Sequence, residues 1–114
     1  MFDSVTSVAL QSALDGLSMR QKVIANNIAN INTTNYHAGK VQFEDALAKS
    51  IVDGDGATTP TMARSLEPTN TNGNNVNLDE ETLSNIDTVL RYQFATQAMN
   101  SELTSVRAAM RTNS

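Results

Sequence analysis

The sequence has no cysteine and no tryptophan. Without thiols it can hold neither a disulfide framework nor a thiolate metal site. Aromatic residues make up only 4% of its 114 positions, so a dense globular core is hard to build. That length allows one domain at most. Cationic side chains are also few: eight Lys and Arg stand against twelve Asp and Glu, for a net charge of −4. The eight are scattered, which argues against nucleic acid or an anionic membrane surface as partner. No apolar run approaches the ~20 residues needed to span a bilayer. Met1-Phe2-Asp3-Ser4-Val5-Thr6 has neither a basic n-region nor an apolar h-region. No cleavable secretory signal is therefore expected, and a chain that leaves the cytoplasm needs another route.

Catalytic inventories fail as well. A Ser-His-Asp arrangement would have to use His37, which sits in a turn-rich region with no supporting motif, and a metal site there lacks a second His or Cys. Gly54 and Gly56 lie in a D-G-D-G stretch without the Lys-Ser/Thr of a phosphate loop. Asp53 and Asp55 lack the glycine and glutamate spacing of a calcium loop. The expectation is a chain that is no enzyme and takes no cofactor, metal or small-molecule substrate.

What the sequence does have is helical period. Leu10, Leu14, Leu17, Ile24, Ile28 and Ile31 fall in alternating steps of four and three, with polar Gln21 filling one slot. That is a heptad seam, a narrow apolar stripe that follows a partner helix. The flank at Ala9, Ala13 and Gly16 is small enough to admit another backbone. A first helix is predicted from about Val5 to Ile31, with Asp3 or Ser4 as cap. It leads into an Asn/Thr-rich exit that closes a segment 1–36. A second helix is predicted from about Leu78 to Met110 within a segment 78–114. Asn77 caps it, acidic residues open it and arginines follow, in keeping with the helix dipole. It carries two stripes. Leu83, Ile86, Leu90 and Phe94 mark one, and Val89, Tyr92, Thr96, Met99, Leu103, Val106 and Met110 mark the other. A helix in a simple hairpin needs one stripe, so two imply more than one helical neighbour.

Between them, 37–77 reads as a connector. It has a short extended piece at Lys40-Val41-Gln42 and a short amphipathic helix near 43–52, where Phe43, Leu47 and Ile51 share a face. Residues 53–77 contain both prolines, Pro60 and Pro68, and three of the five glycines. Such a stretch buries too little apolar area to offset its ordering entropy, and flexibility is expected. The fold class expected is all-α: two long antiparallel helices, a coiled-coil-like hairpin, joined by a long flexible or irregular connector.

Ala25-Asn26-Asn27-Ile28-Ala29-Asn30, followed by Asn32-Thr33 and Tyr36, resembles the N-terminal motif shared by bacterial flagellar rod and hook proteins, A-N-N-x-A-N-x-x-T-P-G-Y. Thr34 and Asn35 stand where that family has Pro and Gly. Asn tolerates the left-handed backbone, so the turn is expected to survive, softened by the loss of proline. Gly73-Asn74-Asn75-Val76-x-Leu78, then Leu90-Arg91-Tyr92-Gln93, is similar to the C-terminal signature of the family's proximal rod member.

The resemblance implies a structural subunit of the flagellar basal-body rod. It would be exported through the flagellar type III apparatus, polymerise in the periplasm through both terminal helices, and transmit torque. Implied partners are other rod proteins, copies of itself, the membrane-ring protein and the export-gate adaptor protein. Under this reading the subunit interface comprises Leu10, Leu14, Leu17, Ile24, Ile28, Ile31 and Tyr36, with Leu83, Ile86, Leu90, Tyr92, Met99, Leu103, Val106 and Met110. Asn26, Asn27 and Asn30 would fix register between subunits. Phe43 and Leu47 fit a Phe-x-x-x-apolar export signal. The alternative is a small secreted helical hairpin of the type VII kind, acting as a dimer. That family carries Trp-x-Gly at its turn, and this chain has no Trp.

Overall fold

A computed structural model describes residues 4–112. Helix α1 spans Val5–Ala29, strand β1 Gly39–Gln42, helix α2 Glu44–Val52, strand β2 Thr61–Arg64 and helix α3 Leu78–Thr112. Ser4 caps α1, its hydroxyl accepting from the Ser7 amide at 3.2 Å. Asn77 caps α3 by accepting from the amides of Asp79 and Glu80 at 3.0 and 3.2 Å. The two long helices run antiparallel, because Asn27 bonds Glu81 while Leu17 shares a core with Ala95. With 35 residues against 25, α3 extends well past α1, and the molecule is a strut of 67 × 25 × 15 Å.

An all-α hairpin is not what forms. A third helix and a two-stranded sheet stand between the long helices. Strands β1 and β2 pair antiparallel, with Val41 opposite Met62. The stretch expected to be a flexible connector therefore carries β2. It is also tied down elsewhere: Ser12 donates to the Gly56 carbonyl at 3.2 Å, and the Ser65 amide donates to the Ala38 carbonyl at 2.7 Å. The expectation failed because every residue of β2 is exposed, so the strand shows no apolar alternation. Its order comes from ladder hydrogen bonds to a strand some twenty residues earlier.

The core lies between α1, α3 and the β1–α2 corner. Leu17, Val23, Val41, Phe43 and Ala95 form it, with Ala13, Leu14, Met19, Leu47 and Tyr92 packed around. Arg20 clamps this corner. Its guanidinium makes two bonds to the Glu44 carboxylate, at 2.5 and 2.7 Å, and a third to the Val41 carbonyl at 2.7 Å. It also stands 5.0 Å from the centre of the Phe43 ring. This pairing holds Glu44 below the ordinary carboxylate value, against the opposing pull of burial.

Candidate functional site

Two features are built on this frame: a polar latch that ties the C-terminal end of α1 to the start of α3, and an apolar ridge that faces away from it.

The latch is made of asparagines. Asn27 on α1 is buried, and both ends of its amide are used. Its Nδ2 donates to the Gly39 carbonyl at 2.9 Å and to Glu81 at 3.1 Å. Its Oδ1 accepts from the Gly39 amide at 2.9 Å and from the Tyr36 hydroxyl at 3.3 Å. The side chain thus pairs with Gly39 as a neighbouring strand would, and joins α1, β1 and α3 at one point. Asn74 is fully buried and closes the C-terminal end of α1. Its Nδ2 donates at 2.8 Å to the carbonyls of Asn30 and Thr33, in the turns that follow the helix. Asn75 accepts from the Ala38 amide at 2.7 Å and donates to the carbonyls of Ser65 and Glu67. Among the described residues, every buried side-chain nitrogen and oxygen has a partner. Asn35 takes φ 62°, the left-handed turn that Gly serves in the resembling family. Its amide donates to the Asn72 carbonyl at 2.9 Å.

Burial raises Glu81 above the ordinary carboxylate value, and the bond from Asn27 only partly offsets this. The carboxylate is held there by the bond it accepts from Asn27. The latch, not the core, dictates it.

The ridge is on α3. Toward α1 the helix presents Glu81, Thr88 and Ala95, all buried, with half-buried Ser84, Tyr92, Thr96, Met99 and Leu103. Leu83, Ile86, Leu90 and Phe94 are exposed by 68, 60, 64 and 75%. At 3.6 residues per turn these four fall within roughly 80° of arc, on the side opposite Thr88 and Tyr92. The larger apolar side chains of this part of the helix thus face outward, while small and polar ones face the chain's own partner helix.

The residues expected at a subunit interface divide accordingly. Leu17, Ile24 and Asn27 are buried within the chain, and Asn27 has no hydrogen-bonding capacity left to set register between subunits. Leu10, Leu14, Ile28, Ile31 and Tyr36 are half-buried. Asn30 bonds locally to the Asn26 carbonyl and to Thr33, and Asn26 is exposed. Met110 is exposed, and the side chain of Val106 lies outside the described residues. Phe43 is buried and Leu47 half-buried. The small flank at Gly16 admits the Phe43 ring, not a second backbone. Sequence reasoning missed Val23, Asn74, Asn75, Glu81 and Thr88 as buried positions. The Asn-Asn doublets at 26–27 and 74–75 are the one signal that could have found the latch.

Among the described residues no group of His, Cys, Asp or Glu could hold a metal ion, and no helix is long and apolar enough to cross a membrane. What the fold and latch define is a helical structural protein. Residues 9–37 match the family described as flagella basal body rod protein. Over 115 residues the chain is 30% identical to the flagellar basal body rod protein FlgB of Bacillus subtilis, covering 89% of both chains. It is 30% identical to FlgB of Escherichia coli K12, covering 82% of this chain and 83% of that one. A stretch of 59 residues is 42% identical to the flagellar hook protein FlgE of Borreliella burgdorferi, covering 49% of this chain and 13% of that one. The chain belongs to the FlgB family of flagellar basal body rod proteins, and is a structural component of the rod.

Proposed function

We propose that this subunit builds the rod by laying the outward ridge of α3 against helices of neighbouring subunits, copies of itself or its rod relatives. The observation that carries this is the inversion on α3: Leu83, Ile86, Leu90 and Phe94 face out while Thr88 and Ala95 face in. Burying each large apolar side chain contributes roughly 1.5–3 kcal/mol, so four along one helix make a cohesive contact. The half-buried Leu10, Leu14, Ile28 and Ile31 of α1 supply further area. The latch keeps the two long helices from shearing, which suits a part that passes torque along its axis.

The subunit reaches the periplasm unfolded through the flagellar type III apparatus, and meets the membrane-ring protein and the export-gate adaptor protein there. Phe43 and Leu47 serve as its export signal while the chain is unfolded. It has no enzymatic activity and needs no cofactor. The type VII hairpin reading finds no support in the relatives.

The test is Phe94→Asp in a strain lacking the native gene. The variant is expected to be secreted but absent from purified basal bodies, with swimming lost. Normal incorporation would remove the ridge from the proposal. Phe43→Ala tests export separately: less secreted chain is expected, because weakening a fold does not slow the passage of an unfolded chain. Unchanged secretion would remove the signal reading.

A further inference from the structure

Asn72-Gly73 is the only Asn-Gly pair in the sequence. Glycine leaves the following peptide nitrogen unhindered, so this pair is where a chain most readily closes on itself. The Gly73 nitrogen attacks Cγ of Asn72. The new N–Cγ bond forms as the Cγ–Nδ2 bond breaks, and ammonia leaves, taking up the proton lost from Gly73. Water then opens the five-membered imide at either carbonyl, giving aspartate or isoaspartate. In isoaspartate the main chain runs through Cγ and is one carbon longer.

The fold engages the attacking nitrogen and both carbonyl oxygens of Asn72. The Gly73 N–H donates to the Asn70 carbonyl at 2.9 Å, so its proton is held in a turn. The Asn72 side-chain oxygen accepts from the Asn74 amide at 3.1 Å. The Asn72 main-chain carbonyl accepts from the Asn35 amide at 2.9 Å. Asn74, two residues on, is fully buried and donates to Asn30 and Thr33 at 2.8 Å, which anchors the turn to the end of α1. None of these bonds exists in the unfolded chain.

We propose that Asn72 is a spontaneous deamidation site which the closed latch silences, so that modification accumulates on chains held unfolded. Isoaspartate at position 72 inserts its extra carbon between the Asn35 tie and the Asn74 cap. A modified chain therefore loses the closure on which the latch depends. The turn acts as a chemical clock that runs before folding and stops after it.

The test incubates the full chain at mildly alkaline pH in two media. One contains trimethylamine N-oxide, with the helices verified by circular dichroism, and the other contains concentrated urea. Peptide mapping by mass spectrometry follows modification at position 72. In the folded sample the rate is expected to fall by about tenfold or more, the ratio given by a local opening free energy of about 1.4 kcal/mol. A smaller ratio, or faster modification at another asparagine in urea, overturns the proposal. Asn74→Ala, which unties the turn while keeping its backbone bonds, is expected to speed modification under folding conditions. A rate unchanged from the native sequence overturns the assignment of protection to the latch.

Discussion

The Phe43 ring occupies the space in which any residue but glycine at position 16 would place its Cβ. An ideal Cβ built on Gly16 falls 2.5–2.7 Å from three ring carbons of Phe43. The one glycine of α1 is therefore a socket for the aromatic that starts α2, and the Arg20 guanidinium stands over the same ring.

Gly16→Ala tests that socket. Helix propensity alone favours alanine by about 1 kcal/mol. Overpacking against an aromatic costs roughly 1–3 kcal/mol, so the net effect expected is destabilisation. Thermal unfolding followed by circular dichroism reads it. Pairing the change with Phe43→Leu recovers part of the loss, a coupling that a double-mutant cycle measures.

Asn27→Asp keeps the shape of the side chain but removes two donors and places a carboxylate beside Glu81. A buried, unpaired charge costs roughly 3 kcal/mol or more, enough to unfold a small helical chain. Asn26→Asp, one residue away and exposed, is expected to change stability by no more than about 0.5 kcal/mol. Equal effects at the two positions would contradict the latch.

The two perturbed glutamates give opposite pH dependence. Glu81 is raised above 4.5 by burial, so the folded chain holds its proton more tightly than the unfolded one. Its stabilising share is complete below 4.5 and is lost as pH rises through the folded value. Glu81→Gln keeps an oxygen for the Asn27 donor and is expected to stabilise at neutral pH, with the gain vanishing in acid. Glu44 is lowered by its bond from Arg20, so its share is present above 4.5 and lost as pH falls through the folded value. Glu44→Gln is expected to destabilise at neutral pH. Urea titrations of both variants across acid and neutral pH check the signs.

Asn35 stands at φ 62° where a β-branched residue is strained. Asn35→Val is expected to cost about 1–2 kcal/mol, and Asn35→Gly to leave stability nearly unchanged. Denaturant midpoints compare the two.

Leu90→Asp alters an exposed ridge residue and is expected to shift monomer stability by no more than about 0.5 kcal/mol. Thr88→Asp, on the buried face, is expected to unfold the chain. A ridge variant that unfolded as readily would place Leu90 in the chain's own core.

The sequence by itself determined the two long helices and the cap of α3, because apolar period, Asn77 and the run of acids at the start of α3 are local signals; for α1 it left Asp3 and Ser4 both open, and the structure selects Ser4. It also determined that Asn35 could make the turn a glycine usually makes, since that depends on one backbone angle. It carried two stripes on α3, but not which of them meets α1. Only the tertiary structure decided that Thr88 and Ala95 face inward and Leu90 and Phe94 outward, because both faces contain apolar residues and periodicity cannot rank them. Strand β2 was invisible for a related reason: an exposed strand is specified by the chain it pairs with, not by its own side chains. The latch was hidden because Asn27, Asn74 and Asn75 look like solvated turn residues until the fold brings their donors and acceptors together across distances of eight to more than fifty residues.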